Sequence, residues 1–234
     1  MNETAVLPRT ILVTGTRRGI GRELCRALAD RGDRVVVTAR AVSDAQDLAS
    51  QLSPDGTRAI GVALDVTDAA SISAAVQAVH AAGWSVDVLV NNAGIDYDYD
   101  QQAATADLAR VRRIVDTNLF GSWGVTQAFL PALSAGSVII MVTSEEASIQ
   151  QMSAGNPGYS VSKAALNALT RILAAELRER QIDVRAVSPG WTETDMGGEG
   201  GRPVAEGARS ILAAIDAPKG STDTYTQDGQ PVPW

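Results

Sequence analysis

The sequence predicts an α/β fold, a doubly wound parallel sheet flanked by helices, as a single domain over residues 1–234. Three observations predict it. Short, β-branched apolar runs recur along the chain, as expected of strands covered on both faces. Helical patterns separate them in the order βαβαβα, which implies right-handed crossovers. A glycine-rich turn stands at the first strand-to-helix junction.

The strand-like runs are 10–14 (TILVT), 35–39 (VVVTA), 59–64 (AIGVAL), 86–91 (VDVLVN), 137–143 (SVIIMVT) and 184–188 (VRAVS). Helices are expected over 20–31, 43–52, 69–82, 105–131 and 159–180, with another beginning at about Pro203. The tail, 222–234, offers one more strand at 223–227, and the glycine-rich 197–201 reads as a mobile loop.

Composition narrows the function classes. The chain is 45% apolar and 20% charged, ordinary for a globular protein. A net charge of −7 and a pI near 4.7 disfavour nucleic-acid or anionic-membrane partners. No apolar run approaches the roughly 20 residues of a membrane helix. Cys25 is the only cysteine, and residues 1–9 carry no secretory pattern, so a cytoplasmic location is expected. Cys25 falls in a helical pattern and reads as a core residue. With one cysteine and one histidine, His80, no His/Cys metal site is expected.

The first turn is Thr14-Gly15-Thr16-Arg17-Arg18-Gly19-Ile20-Gly21. Glycines let backbone approach a pyrophosphate, and the following helix offers free N–H groups and a positive dipole end. The second strand ends at Arg40, where an acidic residue would have favoured a free ribose hydroxyl. Arg17, Arg18 and Arg40 are instead expected to converge on a phosphate dianion, which favours NADP(H) over NAD(H).

Tyr159 and Lys163 share one helix face. An ordinary phenol, with a pKa near 10, trades protons poorly at neutral pH. A lysine ammonium nearby is expected to lower it, making Tyr159 a general acid/base. Ser144 closes the fifth strand on the edge where such sheets bind ligands. Asn118 lies inside an expected helix, where an amide is not favoured.

These motifs, together with Asp65-Val66, Asn91-Asn92-Ala93-Gly94 and Pro189-Gly190, resemble in order the short-chain dehydrogenase/reductase family, over most of the chain. The resemblance implies a Rossmann-type fold and a hydride transferred between NADP(H) and a carbonyl/alcohol pair. It places Asp65 and Val66 at the adenine and Asn92, Ala93 and Gly94 along the cofactor. It gives Lys163 the nicotinamide ribose, Asn118 a helix kink with a proton-relaying water, and Thr192 the nicotinamide carboxamide. Most members place the serine about thirteen positions before the tyrosine; here the gap is fifteen. Ser148 therefore stands as the alternative to Ser144.

The stretch from Pro189 to Gly198 and the C-terminal Asp228-Gly229-Gln230-Pro231-Val232-Pro233-Trp234 resemble the carbonyl-reductase-like branch. Tyr97, Tyr99, Glu145, Glu146, Met152, Trp191 and Met196 are candidate substrate contacts, under an open or loosely covered site. A small-molecule carbonyl or alcohol is the expected partner, in a possible homo-oligomer. The competing reading is a protein that senses NADP(H) on this fold without turnover; the intact proton-transfer residues argue against it.

Overall fold

The computed structural model describes residues 8–97 and 102–234. Eight strands form one sheet in the order β3-β2-β1-β4-β5-β6-β7-β8. They are β1 (Thr10–Val13), β2 (Arg34–Ala39), β3 (Ala59–Ala63), β4 (Val88–Asn91), β5 (Val138–Val142), β6 (Asp183–Ser188), β7 (Thr224–Gln227) and β8 (Gln230–Pro231). Neighbours pair in parallel except β7 and β8, which form an antiparallel hairpin. The helices are α1 (Gly19–Asp30), α2 (Val42–Leu52), α3 (Ala69–Ala81), α4 (Leu108–Val115), α5 (Ser122–Phe129), α6 (Pro157–Glu176) and α7 (Val204–Asp216).

Strand side chains alternate between two apolar layers, because successive residues of a strand point to opposite faces. Ile11, Val13, Val35, Val37 and Ile140 pack with α1, α2 and α7, through Leu24, Leu28, Leu48 and Ile211. Leu12, Val36, Leu89 and Ile139 pack with α3, α5 and α6, through Val79, Phe129, Leu166 and Leu173. Cys25 lies wholly inside the first layer, and burial pushes its thiol pKa up. That is the environment of an inert core cysteine. His80 is exposed on α3. Buried Arg185 donates to the carbonyls of Ala214 and Ala217 at the end of α7, where the dipole favours a cation.

Three expectations need correction. The helix expected over 105–131 is broken. Asp107 caps α4 by accepting from the Ala109 N–H, a π-helical turn follows at Asp116–Gly121, and α5 leads into a 3-10 turn at Leu130–Ala132. A Cβ on Gly121 would come within 2.8 Å of Val66, so the widened turn lies hard against the end of β3. A 3.6-residue periodicity cannot reveal one extra residue in a turn. The stretch 197–201, expected to be a mobile loop, belongs to a hydrogen-bonded flap: Thr194 bridges Gly198 and Thr192 bridges Arg202. Its backbone bonds run from Glu193 N to Arg202 O and from Arg202 N to Trp191 O, 2.9 Å each. The tail yields β8 as well as the one strand expected.

No helix among the described residues is long and apolar enough to cross a membrane.

Candidate active site

Because β1, β4, β5 and β6 are parallel neighbours, their C-terminal ends share one edge, and the strand order reverses between β1 and β4. A crevice at such a reversal is the usual ligand site of open α/β sheets.

The β1 end is shaped by absent side chains. Gly15 has φ +72, and a Cβ there would lie 2.8 Å from the Ala93 Cα. A Cβ on Gly21 would lie 2.5 Å from both the Asn92 side-chain nitrogen and the Gly15 carbonyl. Thr14 ties this turn to the end of β4: its hydroxyl accepts from the N–H groups of Asn92 and Ala93, 2.9 Å each. Asn92 returns its amide to the Thr14 carbonyl at 2.9 Å. The N-terminus of α1 carries no side-chain cap, so Ile20 and its neighbours in the first turn present N–H groups toward the crevice mouth. Donors of this kind fit a pyrophosphate.

The arginines do not converge as expected. Arg17 pairs with Asp44 at the start of α2, at 3.2 Å. Arg18 pairs with Asp195 in the flap. Arg18, the residue before α1, is extended, φ −155 and ψ 177. Arg40 is exposed after β2 and reaches Asp65 electrostatically. Asp65 is held below its usual pKa mainly by the Thr67 hydroxyl and N–H, with Arg40 adding to them. Exposed pairs such as Arg17–Asp44 are worth about 0–1 kcal/mol, so a phosphate dianion can displace the carboxylate.

At the β5 end the structure brings Ser144, Tyr159, Lys163 and Asn118 together. The Ser144 hydroxyl lies near enough to the Tyr159 phenol to stabilise its ionised form. The Lys163 ammonium sits 5.6 Å from the centre of the Tyr159 ring and donates to the Val142 carbonyl at 2.8 Å. A Cβ on Gly94 would lie 3.3 Å from the Asn118 amide oxygen and 3.4 Å from the lysine nitrogen, so Gly94 separates the two. Asn118 is fully buried in the π turn; it accepts from the Ile95 N–H at 2.8 Å and donates to the Ile95 carbonyl and Ser162, both at 3.0 Å. Ser148, the alternative serine, is buried and turned toward the Trp234 carbonyl, at 3.5 Å.

One electrostatic expectation is reversed. The Tyr159 pKa is raised, not lowered. Burial of the phenol outweighs the lowering influence of the nearby Ser144 hydroxyl, and the charges of Glu146 and Asp96 raise it further. Lys163 spends its ammonium on the Val142 carbonyl, and burial brings its own pKa down to about 8.

The flap closes the β6 end. Thr192 is buried and donates to the Gly190 carbonyl at 2.9 Å. Gly190 has φ +69 and lies over the Arg202 guanidinium, which also donates to the Pro189 carbonyl. Trp191 is exposed and donates to the Gly197 carbonyl at 2.8 Å, so its indole holds the flap shape. Met196 is exposed on the same flap. A cavity of about 350 Å³ lies under the β5–α6 loop, lined by Glu145, Glu146, Met152, Asn156 and Ser160 among others, with neither Ser144 nor Tyr159 in its lining. Tyr97 is not part of that lining; its ring lies under the Arg113 guanidinium at 5.8 Å. Tyr99 lies outside the described residues.

Sequence reading missed Thr14, Ser162, Arg202 and Tyr225. Thr14 alone carried a signal, its place immediately before the glycine turn. The others act through partners far away in the chain.

The family model described as short chain dehydrogenase matches residues 9–203. The chain is 35% identical to the 3-oxoacyl-(acyl-carrier-protein) reductase FabG of Salmonella typhimurium over 207 residues, 88% of this chain and 81% of that protein. Its fold matches the NADPH-bound carbonyl reductase from chicken fatty liver with a TM-score of 0.86 at 30% identity, covering 98% of this chain and 100% of that one. It matches the 3-ketoacyl-(acyl-carrier-protein) reductase from Brucella melitensis, complexed with NADH, with a TM-score of 0.83 at 25% identity, covering 96% and 98%.

Proposed function

From the premise that this chain belongs to the short chain dehydrogenase family, as the match over residues 9–203 shows, we propose that it reduces a ketone or aldehyde with NADPH. The observation that carries the reading is the meeting of Ser144 and Tyr159 at the sheet edge, with Lys163 and Asn118 behind them. When bound, the nicotinamide cofactor supplies the hydride that the carbonyl carbon receives. Gly15, Gly19, Gly21, Asn92, Ala93, Gly94, Lys163, Pro189, Gly190 and Thr192 would hold it, with Asp65 and Val66 at its adenine end. Arg40 and Arg17, on the β2–α2 side, favour the 2′-phosphate, and Arg18 joins them by giving up Asp195.

Tyr159 stays protonated because burial raises its pKa, so it can donate a proton to the oxygen of a carbonyl being reduced. Ser144 offers a second hydroxyl to the same oxygen and fixes where the phenol points. Lys163 keeps positive charge behind the tyrosine ring, which helps it give up its proton. Asn118 pins the Ile95 backbone against α6 and so holds the floor of the site.

The substrate end is acidic. Glu146 accepts from Ser160 at 3.0 Å, which holds its carboxylate at the cavity, and Glu145 and Asp96 add charge of the same sign nearby. That environment favours carbonyl compounds carrying an ammonium or several hydroxyls and disfavours carboxylates. Exposed Phe120 and Trp123, stacked at 6.4 Å, with Leu108, Val161 and Ile172, support a homo-oligomer. A cytoplasmic location remains part of the same proposal.

The test is NADPH oxidation followed by absorbance across simple ketones, aldehydes, 3-oxoacyl esters, hydroxyketones and aminoketones. Tyr159→Phe should lower turnover on the best of them about 10²–10⁴-fold with NADPH affinity unchanged. Near-normal turnover by Tyr159→Phe defeats the mechanism.

A further inference from the structure

Ser144 is held at an unusual corner. It leaves β5 in extended backbone, φ −164 and ψ 155, and its side chain accepts from the Glu146 N–H at 3.2 Å. Its carbonyl takes two donors: the Ala147 N–H at 2.9 Å and the Tyr225 hydroxyl. Tyr225 comes from β7, which is separated from β5 by β6. The Tyr225 side chain is buried, with Thr143 and Asn167 close to its hydroxyl at the same corner.

The tail continues this support. Trp234 packs its ring on Tyr225 at 5.4 Å, and the Arg171 guanidinium covers Trp234 at 5.2 Å. Arg171 also pairs with Asp223, at 3.2 Å, just before β7. The Trp234 carbonyl accepts from the Ser148 hydroxyl at 3.5 Å and the Gln150 N–H at 3.4 Å. Both ends of the segment from Ser144 to Gln150 are thus tied to residues 225–234.

We propose that Tyr225 is a positioning residue for Ser144: its hydroxyl fixes the Ser144 peptide, and through it the direction of the serine side chain toward Tyr159. This rests on the reading of Ser144 as a substrate-binding hydroxyl. The loop from Ser144 to α6 is long and mostly exposed, and its own hold on the serine is limited to the Glu146 and Ala147 N–H groups. The Tyr225 hydroxyl, buried on a strand, adds to these a donor from outside the loop. Burial pushes the Tyr225 pKa up to about 12, so the group remains a donor at any pH at which the enzyme would be assayed. The same arrangement gives Ser148 its place: it fastens the far end of the corner and stays out of the chemistry.

The experiment is a double-mutant cycle with ethyl acetoacetate as the carbonyl probe and NADPH as reductant. Tyr225→Phe keeps the ring that packs on Trp234 and removes only the donor. Its kcat should fall about 3- to 10-fold, the scale of one net hydrogen bond, with the KM for NADPH within twofold of wild type. In a Ser144→Ala background the same change should alter kcat less than twofold, because the group it positions is gone. Equal losses in both backgrounds would mean that Tyr225 acts by packing alone, and overturn the proposal. So would wild-type kcat in Tyr225→Phe when Ser144→Ala is impaired. Full turnover by Ser144→Ala would remove the reading of Ser144 beneath it, and that result is distinct from the other two.

Discussion

The turn from β1 to α1 and the corner from β5 to α6 lie on the same edge of the sheet, yet they are built from opposite materials. The first is backbone. Its shape comes from the missing side chains of Gly15 and Gly21, and its ties, through Thr14, run to the neighbouring strand β4. The second is side chain. Ser144, Tyr159, Lys163, Asn118 and Tyr225 meet there from β5, α6, the π turn and β7. A site made of backbone accepts whatever fits its curvature, which suits a cofactor part common to many reactions. A site made of side chains from several elements can change one residue at a time, which suits a substrate.

If that contrast holds, the largest effect should come from the buried charge in the second region. Burial lowers the Lys163 pKa to about 8 from an ordinary value near 10.5. The unfolded chain therefore binds the proton more tightly than the folded one. Stability should rise as pH climbs from about 8 toward 10, by an amount on the order of 3 kcal/mol. Above pH 10 the raised pKa of Tyr159 acts with the opposite sign, because the unfolded tyrosine ionises first. Urea unfolding of wild type and Lys163→Met over this range isolates the lysine: the variant should lack its part of the rise. Identical pH slopes in the two proteins would show that the ammonium is solvated.

The backbone region should fail to the smallest possible side chain. Gly21→Ala would place a Cβ 2.5 Å from a carbonyl oxygen, and this cannot be relieved by rotating a side chain. The cost should lie near the top of about 1–3 kcal/mol, with NADPH affinity falling as well. Denaturation and cofactor fluorescence titration measure the two separately. Wild-type values for both would mean that the turn is not shaped by close approach.

The smallest of these effects is confined to specificity. Wild type should bind NADP(H) at least about tenfold more tightly than NAD(H), the scale of one charge-assisted hydrogen bond. Arg40→Asp should invert the order without altering the fold, because Arg40 is exposed. Equal affinity of wild type for both cofactors would remove the arginine argument. An unchanged preference in Arg40→Asp would move the phosphate contact to Arg17 or Arg18.

The difference between the two regions also explains what could be read in advance. Strands, helices and the glycine turn were legible because each is encoded by neighbouring residues: β-branched runs, 3.6-residue periodicity and glycine spacing. The pairing of Tyr159 with Lys163 was legible for the same reason, since four positions on a helix share a face. The place of Ser144 at a strand end was readable too, though the fifteen-residue gap left Ser148 open.

By itself, then, the sequence determined the layered α/β architecture, the glycine cradle and the residue types that meet at the sheet edge. Only the tertiary structure decided how their charges and directions resolve. It set Arg17 and Arg18 each beside a carboxylate from a different element. It turned 197–201 into part of a bonded flap, through Thr192, Arg202 and the Trp191 indole. It raised the Tyr159 pKa by burial and left the lysine bonded to Val142. It also brought Tyr225 to Ser144 across 81 positions of chain. The physical reason is common to all four. Burial, ion pairing and long-range hydrogen bonds depend on distances between elements, and local periodicity carries no information about those distances.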